Sequence, residues 1–273
     1  TFTLDYPAFH AIVTYADNES LREEFYRAFV TRASDCGPNA NQFDNSEVIT
    51  ETLCLRQQKA SLLGFKNYSE LKKKKKMAPS TETVLDFLQQ LAKKSFAQGQ
   101  REFASLEAFA GKKLNPWDVA YYSEKQRQAL FDITAETLRP YFPETKCLQG
   151  MFAIAEKLYG ITFKLKENVD TWHPEVSFYE LYDVDNKLCG GLYLDLYARE
   201  NKRGGAWMDD CVCRRKLSNG KTQHPVAYLT CNFAPALKGE EAYLSHSEVE
   251  TLLHEFGHCL HHLLTKIDYL SAS

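Results

Sequence analysis

The hydrophobic rhythm of this chain changes once, near residue 160, and that change limits what the chain can fold into. Before it, apolar residues recur at helical spacing. After Asp17-Asn18, Leu21, Phe25 and Phe29 follow one another four residues apart and give one apolar stripe. The polar run from Ser34 to Asn39 breaks that helix. A second helix is expected over 46–63, with Gly64 in the position where a left-handed residue ends a helix. A long third is expected over 81–109, and others over 117–130 and 143–158, the last opening at Pro143, where a missing N–H does no harm. From Ile161 onward the pattern alternates instead. Strands are expected over 161–165, 176–182, 192–197 and 226–233, with turns at Asp185-Asn186 and Ser218-Asn219-Gly220. One more helix, over about 246–266, closes the chain. This order predicts a mostly helical α+β fold in two parts, a helical 1–160 and a 161–273 that carries a small sheet and the last helix.

The 273 residues are 44% hydrophobic, enough for a real core. A net charge of −3 supplies no global field for nucleic acid or an anionic membrane. Five consecutive lysines, Lys72 to Lys76, lack the interleaved aromatics of single-strand binders and read as a solvated loop or helix end. No stretch approaches the roughly 18 uninterrupted apolar residues that span a bilayer. The first thirty residues, with Asp5, Asp17, Glu19 and Glu23, lack the pattern of a signal peptide. The eight cysteines are dispersed and include no CxxC pair, so reduced thiols in a cytoplasm are expected. Cys211 and Cys213 are read as free thiols, because nothing adjacent completes a four-ligand set.

Chemistry concentrates in the final helix, at His254-Glu255-Phe256-Gly257-His258. Two histidines four residues apart share one helix face, about 6 Å apart along the axis, and both can reach one metal ion. Glu255 flanks that ion and is placed to act as a general base on water. The pattern fits peptide hydrolysis at neutral pH, since Zn²⁺ brings the pKa of its water to about 7. Ser245 and Glu248 form a capping box at the helix start. Val249, Leu252, Leu253, Phe256 and Leu260 are available for the core, and Gly257, costly inside a helix by roughly 1 kcal/mol, suggests a close neighbour. His261 and His262 sit too far along the axis for the same ion and read as outer or surface residues. A longer three-histidine pattern is ruled out, because its glycine position is His261 and its last histidine position is Leu264. A downstream glutamate is then the expected third ligand. Asp268 is too near, so the ligand is expected beyond Ser273. Thr1 in place of methionine, and an end fifteen residues after His258, likewise lead us to expect a longer natural chain.

Several further blocks, Thr14 to Asn18, Thr31 to Asp35, Gly37 to Ala40, Pro116 to Glu124 and Leu194 to Met208, together with the helix motif, resemble the thimet-oligopeptidase-like family of zinc metallopeptidases. The resemblance runs over essentially the whole chain and corresponds to a central portion of the family chain, leaving its N- and C-terminal parts as missing partners. It implies a zincin-like catalytic domain, one Zn²⁺ held by His254 and His258 with a glutamate from a later helix, and Glu255 as base. It also implies short peptide substrates. The strand Tyr228, Leu229, Thr230, Cys231, Asn232 and Phe233 resembles one lining the family's cleft, where an extended substrate would add as a further strand. Arg199 to Gly205 reads equally as a cleft loop or a solvated turn. Two other readings stay open: a non-catalytic peptide-binding or structural fragment, and a different glutamate-ligand zinc peptidase.

Overall fold

A computed structural model of the chain describes residues 2–236 and 241–272, which form two compact units divided between Asp132 and Ile133. The first unit is entirely helical: α1 (Tyr6–Tyr15), α2 (Glu19–Val30), α3 (Ser46–Leu62), α4 (Tyr68–Lys73), α5 (Thr81–Ala110), a 3₁₀ turn (Pro116–Asp118) and α6 (Val119–Phe131). The caps explain the boundaries. Asn18, Asn67 and Ser80 each accept from a backbone N–H in the first turn of the helix that follows, and Gly111 ends α5 with φ of 66°. The lysine run straddles the end of α4, as a helix-end reading requires.

The centre of this unit is polar. Arg22 and Asp118 are both buried, and the Arg22 guanidinium donates to the carboxylate of Asp118 and to the carbonyls of Ala16, Asp17 and Trp117. It also lies 4.1 Å from the centre of the Tyr121 ring. Lys112 adds a second cation to Asp118 at 3.1 Å.

The second unit contains α7 (Ala135–Leu138), a 3₁₀ turn (Arg139–Tyr141), α8 (Glu144–Tyr159), β1 (Thr162–Leu165), β2 (Ser177–Tyr182), β3 (Leu188–Tyr197), β4 (Trp207–Val212), β5 (Arg215–Lys216), β6 (Thr222–Gln223), β7 (Val226–Phe233) and α9 (His246–Leu263). Five strands form one mixed sheet in the order β1-β2-β3-β7-β4. The β3–β7 pair is parallel and the other pairs antiparallel. The division into units precedes the change of rhythm at Ile161, because α8 packs Met151 and Ala155 into the same core as the sheet. That core joins Leu181, Leu192, Leu194, Leu229 and Cys231 of the sheet to Leu252, Phe256, Cys259 and Leu263 of α9.

Candidate metal centre

The helix that carries the motif is fixed before any chemistry is considered. The Ser245 hydroxyl accepts from the Glu248 N–H, and the Glu248 carboxylate accepts from the Ser245 N–H, so both orphan donors are satisfied. Leu252, Phe256, Cys259 and Leu263 form the buried face. Phe256 meets the rings of Phe152 at 5.9 Å and Phe163 at 5.6 Å. Leu253, expected in the core, is 43% exposed, because it lies one position off that face. No atom lies within 4 Å of where a Cβ at Gly257 would be, so the neighbour expected there is not among the described residues.

With that face turned inward, His254 and His258 emerge on the opposite side, both exposed. Their Nε2 atoms approach to 3.2 Å, with the rings inclined at 79°. Two imidazole nitrogens on a tetrahedral zinc, each at 2.0–2.1 Å, stand about 3.3 Å apart, so the pair fits such an ion. Among the described residues no third histidine, cysteine, aspartate or glutamate completes a set of three.

Glu255 and His258 face an open cleft of ≈ 720 Å³, whose other wall is Ala206, Trp207 and Met208 at the start of β4. His261 and His262 also border it. His262 is occupied otherwise, with Nε2 3.0 Å from the Val212 carbonyl, which ties the end of β4 to the helix.

The six residues from Tyr228 to Phe233 do not line this cleft. Their strand β7 is paired on both sides, with β3 and with β4, so its main chain has no edge for an incoming peptide. Leu229, Cys231 and Phe233 point into the core. Tyr228 packs against Trp172 and Tyr193, and Thr230 is buried. Asn232 uses its amide to hold the carbonyls of Arg203 and Gly205. Among the described residues the edge strand beyond β7 is β4, whose interrupted alternation does not mark it as a strand in the sequence.

Cys231 and Cys259, buried beside the motif, are held as thiols. Burial, reinforced by the charge of Glu255, pushes the thiols of Cys231 and Cys259 up to about 12, so both stay protonated. All eight cysteines are unpaired.

Comparison with known proteins identifies the family. The model of Peptidase family M3 matches residues 12–273. Oligopeptidase A of Escherichia coli strain K12 is 55% identical over 99% of this chain and 41% of its own length. Oligopeptidase A of Haemophilus influenzae is 49% identical over 98% of this chain and 40% of its own. The dipeptidyl carboxypeptidase of E. coli is 35% identical over 94% of this chain and 37% of its own. The chain thus spans about two fifths of the length of the curated relatives it matches. With the family model matching nearly its whole length, the chain belongs to peptidase family M3.

Proposed function

We propose that this chain carries the metal-binding part of a zinc-dependent endopeptidase site, zincin-like in its pairing of motif helix and strand edge, that hydrolyses short peptides in the cytoplasm. His254 and His258 would hold the ion through their Nε2 atoms. When bound, zinc supplies Lewis acidity that polarises the scissile carbonyl and acidifies the attacking water to a pKa of about 7. Glu255 would accept a proton from the attacking water and pass it to the leaving amine. The unpaired edge of β4 offers main-chain hydrogen bonds to an extended peptide, a mode of binding that tolerates many sequences.

The reading is carried by the 3.2 Å approach of the two Nε2 atoms beside a cleft-facing Glu255, in a chain of this family. Two histidines make an incomplete zinc site, and among the described residues there is no third ligand. On this reading the described residues leave the zinc site incomplete, and a glutamate outside them supplies the remaining ligand that zinc binding and turnover need. As they stand, the described residues match the alternative reading of a non-catalytic fragment.

The test is Glu255→Gln in the full-length protein. Zinc stoichiometry is expected to stay at one per chain, while hydrolysis of an internally quenched peptide falls on the order of a hundredfold to ten-thousandfold. Turnover at the unmodified rate overturns the mechanism.

A further inference from the structure

Asp195 sits near the end of β3 with only 4% of its surface exposed, and a carboxylate buried there needs donors. It has three residues supplying them. Trp172 Nε1 donates at 2.9 Å, the two terminal nitrogens of Arg199 at 2.6 and 2.8 Å, and Lys202 Nζ at 2.7 Å. Lys202, itself nearly buried, also donates to the carbonyls of Asp195 and Tyr197. The charged run after β3 is therefore tied back to its own strand through Arg199 and Lys202, while Glu200, Asn201, Arg203, Gly204 and Gly205 stay exposed.

A second fastening follows at once. The side-chain amide of Asn232, on β7, donates to the carbonyl of Arg203 at 2.8 Å and to that of Gly205 at 2.6 Å. The next three residues, Ala206, Trp207 and Met208, form the cleft wall facing Glu255 and His258. The Asp195 clamp thus ends at Lys202, five residues before β4, and the Asn232 fastening continues from there to Gly205, two residues before the strand edge that the proposed function assigns to the peptide.

We propose that Asp195 and Asn232 are positioning residues for peptide binding, fixing the segment 203–208 so that the edge of β4 meets the substrate main chain beside Glu255. Neither touches the reacting atoms. Each acts through the loop, so its loss is felt in peptide affinity and not in the chemical step. This inference rests on the peptidase reading above.

The experiment uses the full-length protein with Asp195→Asn, Asn232→Ala and Asn232→Gln, assayed on an internally quenched peptide with zinc content measured in parallel. Asn232→Ala is expected to raise KM by about tenfold or more, the loss of two loop hydrogen bonds, with kcat within about twofold and zinc unchanged. Asn232→Gln, which keeps the amide, recovers part of the affinity, and Asp195→Asn shifts KM in the same direction. A folded, zinc-loaded Asn232→Ala protein with unchanged KM, or with only kcat reduced, overturns the proposal. If Asp195→Asn fails to fold, the Asn232 pair decides alone. Glu255→Gln separates the two failures. If it is silent while Asn232→Ala is normal, only the positioning role falls, whereas if it turns over normally the peptidase reading falls.

Discussion

The guanidinium of Arg22 and the carboxylate of Asp118 meet at 2.7 Å with their side chains 2% and 0% exposed, 96 residues apart in the chain. Such a pair is costly to desolvate, and more costly to break than to replace, because removing one partner strands a buried charge. Asp118→Ala is therefore expected to destabilise the helical unit by about 3–5 kcal/mol, read from the urea midpoint of its unfolding. The double change Arg22→Met with Asp118→Leu should recover most of that loss. Equal costs for the single and double changes would mean that the pair itself, and not the stranded charge, is what matters.

Asp195 makes the second unit sensitive to acid. Burial alone would push its carboxyl up, but the hydrogen bonds from Arg199, Lys202 and Trp172 outweigh it and hold it at about 2, below the ordinary 3.8. Burial pulls the Lys202 ammonium down, against the opposing pull of Asp195. A carboxylate whose pKa is lower folded than unfolded adds stability that is complete above the unfolded value and lost as pH falls through the folded one. The contribution, roughly 2 kcal/mol, is thus present above about pH 4 and gone near pH 2. The stability difference between the native chain and Asp195→Asn should shrink over that window, measured by denaturant unfolding at stepped pH. A difference that stays constant would show that the ionised form is not what the clamp depends on.

Four histidines crowd the end of α9, and the geometry separates their roles. His258→Ala removes one of the two nitrogens that face each other at 3.2 Å, and in the full-length protein it should abolish stoichiometric zinc. His262→Ala removes the contact to the Val212 carbonyl and should leave zinc content intact while lowering stability by about 1 kcal/mol. Zinc measured after dialysis, beside a thermal melt, distinguishes them. Loss of zinc in His262→Ala would place that ring in the metal site.

How far the sequence could be read depends on whether a signal is local. The Ser245–Glu248 capping box, the stop at Gly64 and the facing of His254 and His258 are decided within a few residues, and the structure has all three. β4 is decided elsewhere. Asp209 and Asp210 interrupt its alternation, and it forms because β7 offers a partner. β7 itself follows β6 in sequence yet lies between β3 and β4, a non-local arrangement that turned an expected substrate strand into an interior one. The start of β3 at Leu188 lies before the expected Leu192, since Gly190-Gly191 carry no side chains to show an alternation, and the Phe178 ring occupies the space that a side chain at 191 would need. The helix α1 carries no stripe that the same reading picked out, and its buried residues Ile12, Val13 and Thr14 are contiguous.

Gly257 gives the last test. A glycine inside a helix costs roughly 1 kcal/mol against alanine, and a Cβ there would meet nothing within 4 Å among the described residues. In these 273 residues Gly257→Ala should therefore stabilise the fold by about that amount, read as a shift in the unfolding midpoint. The same substitution in the full-length protein is the informative contrast. If stability again rises, glycine there answers to no packing at all. If stability falls while the short chain gains, another element of the longer protein must approach the helix backbone between the two ligand histidines, close enough that a single methyl group is in the way.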